Sequence, residues 1–545
     1  MPYGLSWLAA AVCPPAATAF AAPPPPAGRP LATQALAAAG GTTAAALVGY
    51  VTDVEGKLAL FQDYAARSLV VMLEVGPDGH ERLQWRKPSD PVGSPDASPD
   101  LHFVYGGDVF DKGDGDLRLA RLLVDFKIRY PQHVHLILGN RDANKLKLVA
   151  HLTGPELSQS VHTLPGPYWW SGLSSYVTPA QFMASRALPD SRSARLRYHL
   201  HCTMGAAAMF EARKAELALL AGRSSPDDVS DDEVVDSFLA AADPRHPASQ
   251  ETVVVPREGH VCVRPHDIVA SGGGEALKYV VLSELAALVH DSLFVHGGVS
   301  RRALGFVPAD DAFDGVTRAA VGTTLPPSAS IHEWVAALRA WQLRALAAFV
   351  ASPGYLDLDR NQRGGAQLFS YFYTRAVHGR SVAIHPSLTR GVPNEPPADV
   401  ALALRDSGIA RVVSGHKPFS DSPTLVRANG VEYILGDMSF SDTNAPDNRG
   451  AAVAEVVIVH PRDGLPSFPF LHGRLACGLE YAFAAKQPDN PDAPDPGAWL
   501  GKRTRTGWIP VVILPSGWLV LDRGRGRVVE HLLVDPAGVE RMMVA

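Results

Sequence analysis

The chain predicts an α/β fold, and three observations carry that prediction. Apolar runs of strand length, at residues 44–52, 102–105 and 134–138, each end in a compact polar cluster. The segment 116–129 lies between the second and third runs and carries Leu119, Leu122, Leu123 and Phe126 at helical spacing on one face. Strand and helix therefore alternate, which is the signature of α/β proteins. In open α/β sheets ligands gather at the carboxyl ends of the strands, and the polar clusters Asp53-Val54-Glu55-Gly56, Gly107-Asp108 and Gly139-Asn140-Arg141-Asp142 all fall there.

The other elements follow in order. A helical pattern at 58–67 leads to a strand at 68–75. Residues 76–100 are rich in Pro, Asp, Ser and Gly and read as a loop. From 151 to 284 the pattern turns mostly helical, at 206–221 and 231–242, and Ser230-Asp231-Asp232-Glu233 supplies an N-terminal cap. This stretch reads as an insertion placed beside the site, since both its ends lie there; the plainer alternative is surface padding. Strand character returns at 292–295 and ends at His296. A helix at 331–350 and a short one at 399–406 precede a strand at 411–413, which ends at Ser414-Gly415-His416. Strands at 432–435 and 453–460 are expected to pair one after the other. A Pro/Asp loop covers 488–497, and Pro515-Ser516-Gly517 joins strands 508–514 and 518–522 as a hairpin.

The organisation expected is a leader or disordered tail at 1–44, one domain built from 45–150 and 285–460, the helical insertion 151–284, and a β-rich C-terminal extension 461–545. The leader is rich in Ala and Pro. Ala19-Phe20-Ala21 matches a cleavage site, but a secretory signal's basic start is missing and Arg is scarce for a transit peptide, leaving the compartment open.

Composition sets bounds. The 545 residues are 46% hydrophobic and 19% charged, which suits a globular chain. A net charge of −6 gives no electrostatic footprint for nucleic acid, and the longest early apolar run is too short to span a bilayer. The four cysteines, Cys13, Cys202, Cys262 and Cys477, are far apart and show neither a C-x-x-C pair nor a disulfide framework.

The polar clusters together read as one metal site. Asp53 and Glu55 are two apart, so at a strand end both reach the same side. Gly107 and Gly139 precede candidate ligands and let the backbone turn and come close; Gly297 and Gly415 flank His296 and His416. Singly each motif is weak. A GDxxD is a common loop sequence, Asn140 could be a turn residue, and His296 could be a core histidine.

In this order the segments resemble the calcineurin-like metallophosphoesterase superfamily, whose motifs run D-x-H, GDxxDRG, GNHE, H and GH. The likeness covers residues 45–149 and 285–440 and is nearest the Ser/Thr phosphoprotein phosphatase branch and its diadenosine tetraphosphate hydrolase relatives. It implies a two-layer β-sandwich flanked by helices. It implies two divalent metal ions, Mn²⁺ first and Mg²⁺, Fe or Zn²⁺ as alternatives, held by Asp53, Glu55, Asp108, Asn140, His296 and His416, with Asp108 bridging. A hydroxide between the ions would attack phosphorus. The substrate implied is a phosphorylated protein or small molecule.

Three departures qualify the likeness. Glu55 stands where the family has a histidine and favours harder ions. Arg141 stands where the family has a general-acid histidine; Arg cannot supply a proton but can bind phosphate bidentately. Lys112 replaces an Arg and keeps its charge without the fork geometry. Asp111 and Asp142 occupy the place of a supporting carboxylate pair and could hold Arg141. Arg375 is a further phosphate-binding candidate, and Asp437 could reach the ions through water. The expected activity is phosphate-ester hydrolysis, with Asp108, Arg141 and Asp111 in the catalytic machinery. The alternatives are a dinucleotide polyphosphate hydrolase and a pseudophosphatase acting as a scaffold.

Overall fold

The computed structural model describes residues 28–38, 44–77, 79–86, 99–154, 156–164, 177–247, 274–313, 320–354, 364–372, 379–385, 387–389, 391–439, 448–486, 495–525 and 528–544. Two stacked sheets form its centre. Their strands in chain order are β1 (Ala44–Val51), β2 (Asp100–Tyr105), β3 (Val134–Leu136), β4 (Ala286–Val289), β5 (Ser292–Val295), β6 (Arg411–Ser414), β7 (Thr424–Ala428), β8 (Val431–Leu435), β9 (Val453–Pro461), β10 (Phe468–Arg474) and β11 (Glu480–Ala484). One sheet runs β11-β10-β9-β1-β2-β3 and the other β7-β8-β6-β5-β4.

Side-chain alternation sorts these strands into layers. Val48 and Tyr50 of β1, Val456 and Ile458 of β9, Phe294 of β5, Val413 of β6 and Ile434 of β8 share the core between the sheets. The odd neighbours Leu47, Val51, Val457 and Val459 face outward, where they meet Phe61 and Leu119 of the helices Leu58–Arg67 and Asp116–Arg129. On the far side Leu293, Val295, Val412 and Tyr433 pack with Trp334, Leu338 and Trp341 of the helix Ile331–Ala351. Removing either of these fully buried Trp side chains is expected to cost about 3–5 kcal/mol. The result is a β-sandwich flanked by helices, as the sequence predicts.

Strand direction positions the site. β1 runs parallel to β2 and β2 to β3; in the second sheet β5 runs parallel to β6 and β6 to β8. The motif-bearing strands of each sheet therefore end on one common edge.

Several elements depart from the sequence reading. Strands 432–435 and 453–460 do not pair one after the other: β8 joins β6 and β7, whereas β9 joins β1 and β10. Every residue of β8 is buried, so its pattern carries no sign of which sheet it enters. Inside the expected loop 76–100, Glu81–Trp85 pairs with Val71–Val75; only Leu83 of that strand is buried, too little for a period-two signal. The helix Gly28–Ala38 lies in the stretch read as a leader and packs Ala32 and Leu36 on the first core. β10 and β11, within the stretch read as an extension, complete the six-stranded sheet. Beyond them β12 (Ile509–Ile513), β13 (Leu519–Arg525) and β14 (Val528–Val534) form an antiparallel sheet, with the expected hairpin about Pro515-Ser516-Gly517. Ala19-Phe20-Ala21, Cys13, Cys262 and most of the loop 488–497 lie outside the described residues.

The insertion is mostly helical where it is described, including Met209–Leu220 and Asp231–Ala242, with turns over 156–164. Ser230 and Glu233 form the anticipated capping box. Glu216 reaches back to the first domain and accepts the Leu117 and Arg118 amides at 3.3 and 3.1 Å, capping the helix Asp116–Arg129 from outside.

Candidate metal centre

At the common edge the backbone turns sharply. Asp53, Glu55, Asp108 and His416 have φ of 55°, 47°, 56° and 71°, four of the seven positive-φ non-glycine residues among those described. Left-handed backbone at such residues costs roughly 1–3 kcal/mol each and persists only where surroundings over-determine it. Here the loops hold one another. Asp53 N donates to Gly107 O at 3.0 Å, Glu55 N to Asp108 O at 2.9 Å, Lys112 N to Glu55 O at 2.9 Å, and Gly415 N to His296 O at 2.8 Å. Two glycines are required: Gly107 sits at φ +101°, and a Cβ on Gly139 would overlap the Asp108 carboxylate.

These turns bring together Asp53, Asp108 and His296, whose ligand atoms all lie within 4.8 Å of one another and whose exposures are 2, 1 and 0%. His296 Nδ1 faces the Gly106 carbonyl at 2.8 Å. A carbonyl only accepts, so Nδ1 carries a proton and Nε2 is the ring atom turned toward the carboxylates, where a bound cation would take the place of its proton. Nε2 is 3.3 Å from Asp108 Oδ1 and 3.1 Å from Asn140 Oδ1. The His416 ring lies 5.2 Å from that of His296, and its backbone N–H donates to Asp53 Oδ2 at 3.1 Å. Thr52 Oγ1 donates to the same oxygen at 2.6 Å.

Glu55, the sixth expected ligand, has other company. Arg141 Nε lies 3.0 Å from its Oε1, and Arg449 Nη2 pairs with the same oxygen. Arg141 Nε is also 3.4 Å from Asp108 Oδ2, its Nη1 pairs with Asp111, and Lys145 Nζ meets Asp111 Oδ1 at 2.6 Å. Asp111 thus holds Arg141. Asp142 instead accepts the amides of Asp108, Val109 and Gly139 at 2.9, 2.8 and 3.0 Å, which fixes the loop that carries Asp108. Asn140 is the first residue of the helix Asn140–Thr153, whose N-terminal dipole favours anions. Arg141 Nη1 also approaches Met204 O at 3.5 Å, so the insertion reaches this site.

The electrostatics follow from burial and dense charge. Burial disfavours a charged His296, but Asp108 and Asp53 outweigh it and lift the ring to about 10. Burial raises Asp53. Burial also pushes Glu55 up to about 7 against the pull of Arg141 and Arg449. Asp108 is held below the usual carboxylate range: burial opposes this, but His296 and Arg141 prevail. Burial depresses half-buried Lys112, which lies close enough to Glu55 and Asp111 to feel both charges. Asp437 is buried, accepts Ser439 N at 2.8 Å, and is pushed well up by burial and by Asp53. Arg375 lies outside the described residues.

The donor set fits one divalent cation: two carboxylates, an imidazole of fixed tautomer, and the flanking Asn140 and His416. Glu55 would serve a second ion only by leaving its two guanidinium partners. Sequence reasoning missed Arg449, Lys145 and Thr52. Lys145 had a signal, since it is four residues from Arg141 on one helix face. Arg449 had none, because it precedes β9, about three hundred residues along the chain from Arg141.

No family model matches the chain. Solved structures superpose loosely. A cold-active protein-tyrosine phosphatase of the psychrophile Shewanella sp. is 14% identical over 80% of this chain and 80% of that chain, with a TM-score of 0.34. A protein serine/threonine phosphatase from Saccharomyces cerevisiae is 13% identical over 84% and 85%, with a TM-score of 0.28. Likenesses at this level carry neither activity nor residue roles to this chain. No helix among the described residues is long and apolar enough to cross a membrane.

Proposed function

We propose that the protein is a metal-dependent phosphoesterase, with Asp53, Asp108 and His296 as the primary cation ligands and Asn140 and His416 beside them. The observation that carries this reading is the convergence of three buried ligand side chains within 4.8 Å, on backbone strained at Asp53 and Asp108. A bound divalent cation would supply charge to polarise a phosphoryl oxygen. The protein's own groups do the rest. Arg141, with its side chain 19% exposed, stands between the carboxylates and solvent, where it can pair with phosphate oxygens. Asp111 and Lys145 fix its position. Lys112 adds cationic charge beside it. Arg141 donates no proton to a leaving group, so esters and anhydrides with leaving groups of low pKa are favoured.

A cavity of about 540 Å³ opens beside the loop that follows His296 and is lined by Ser300, Arg301, His385, Ser387 and Asn394 among others. It would hold the non-reacting part of a phosphorylated small molecule, with nucleotide polyphosphates included and phosphoproteins as the competing class.

The test is hydrolysis of p-nitrophenyl phosphate by wild type and Asp108→Asn, with and without Mn²⁺, followed by a panel of dinucleotide polyphosphates, sugar phosphates and phosphopeptides. Equal rates in both proteins, or no stimulation by metal, would remove the enzyme reading. A second reading is a pseudophosphatase scaffold. The pairing of both Arg141 and Arg449 with Glu55 favours it, since two guanidinium ions already neutralise the carboxylate a second ion would need. Phosphate-analogue binding without turnover would decide for it.

A further inference from the structure

A second buried cluster shares no residue with this site. Asp421, Asp522 and His531 offer ligand atoms within 4.8 Å of one another, and their exposures are 3, 0 and 7%. They come from separate parts of the chain. Asp421 is in the loop after His416, and Asp522 and His531 face each other across β13 and β14. His531 Nε2 is 2.9 Å from Asp421 Oδ1 and 3.4 Å from Asp522 Oδ1. The Cys477 thiol is a hydrogen-bonding neighbour of the same ring.

The outer oxygens of both carboxylates are fixed by the protein. Ala476 N donates to Asp421 Oδ2 at 2.8 Å, and Ser420 Oγ donates to Asp522 Oδ2. The inner oxygens both turn toward His531. Fully buried Asp522 Oδ1 has no hydrogen-bond partner among the described residues, nor does the buried Tyr481 hydroxyl beside the two carboxylates. An orphaned buried acceptor costs about 1–3 kcal/mol, more when charged. An imidazolium alone leaves the pair of carboxylates under-neutralised and that oxygen unsatisfied. A cation at the centre satisfies all the inner atoms at once. Tetrahedral coordination at about 2.0–2.3 Å separates ligand atoms by roughly 3.3–3.8 Å; His531 Nε2 already lies 3.4 Å from Asp522 Oδ1, and its 2.9 Å separation from Asp421 Oδ1 would have to open by a few tenths of an ångström.

We propose that Asp421, Asp522 and His531 hold a structural zinc ion that pins the C-terminal sheet to the loop following His416, with the Cys477 thiol, a neighbour of the His531 ring, turning in as its fourth ligand. Imidazole and thiolate select zinc over Mg²⁺ or Ca²⁺. Three buried ligands and the half-buried Cys477 fill four positions, which suits a structural ion, whereas a catalytic one keeps an open position.

The full-length chain tests this in two ways. Cobalt exchanged into the purified protein should show thiolate-to-metal charge-transfer absorption, which Cys477→Ser abolishes; the site around Asp108 contains no thiol and cannot give it. Zinc content should be about one equivalent in the Asp108→Asn/His296→Ala background and fall at least about tenfold on adding Asp522→Asn. If Asp522→Asn does not fold, the near-isosteric Cys477→Ser carries the same comparison, with a lowered Tm that added zinc no longer raises. Zinc content unchanged by both substitutions, or no thiolate band in wild type, overturns the proposal and leaves only an imidazolium–carboxylate pair.

Discussion

Two clusters of the same composition, Asp53–Asp108–His296 and Asp421–Asp522–His531, sit in different surroundings. The first stands at the ends of parallel strands on left-handed backbone, with a helix N-terminus and partly exposed Arg141 on its open side. The second is bounded by Ser420, Ala476, Cys477 and Tyr481, and its Asp522 and His531 are cross-strand partners in a regular antiparallel sheet. Residue type is therefore shared, and the backbone decides the role. Strain and an anion-friendly open side suit chemistry, whereas regular strands and closure suit cross-linking. A third group marks the purely structural extreme. Glu455 accepts from Tyr64 Oη, Ser68 Oγ and Leu69 N at 2.9, 2.5 and 2.7 Å and pairs with His472 at 2.9 Å, so all its capacity is spent inside the fold.

The largest effect should separate the first cluster from the others. Asp108→Asn is expected to lower kcat/KM on p-nitrophenyl phosphate by about 10³-fold or more, the loss of several kcal/mol of charge stabilisation, with Tm unchanged or raised. A Tm that falls with activity intact would make the first cluster structural and collapse the contrast. Next, Glu455→Ala should lower stability by about 3–5 kcal/mol, because it strands His472 and two hydroxyls, and it should leave KM alone; denaturant unfolding with a kinetic assay measures both.

A smaller effect probes Arg141. Arg141→Gln should raise KM for phosphate esters by about 10–10²-fold, since one charge-assisted contact is lost; a gain in metal affinity with unchanged KM would place Arg141 with Glu55 rather than with substrate. The acid limb of the stability profile sharpens the third group. Burial alone would raise Glu455, but His472, Ser68 and the Leu69 amide hold its pKa below the usual value. A folded-state pKa below the unfolded one gives stability that is present above about pH 4.3 and lost as the pH falls through the folded value. Glu455→Gln should flatten that loss. The smallest effect is a control outside all three groups: Ser230→Ala should cost about 1 kcal/mol through its capping box, with activity unchanged.

Much of this was legible in the residues. The helices Leu58–Arg67 and Asp116–Arg129 carry a clear 3.6-residue period, and Ser230 and Glu233 carry a capping signature; these are local properties that do not need the fold. The candidate ligands were found because each follows its own strand. The destination of β8 and β9 was not legible, because β8 is buried throughout and β9 over its first seven residues, and such strands look alike whichever sheet they enter. Nor were Asp421, Asp522 and His531, since two of them lie on ordinary strands with no motif around them.

The sequence by itself determined the α/β class and the order of the polar clusters, because apolar period and turn chemistry act over a few residues; the two-layer sandwich was expected only through the resemblance those clusters carry. Tertiary structure alone decided that Glu55 meets Arg141 and Arg449, and that a loop after His416 meets two C-terminal strands. Those contacts join positions far apart in the chain. Burial there sets the energy of every charge, and no local pattern encodes which distant charge will be its neighbour.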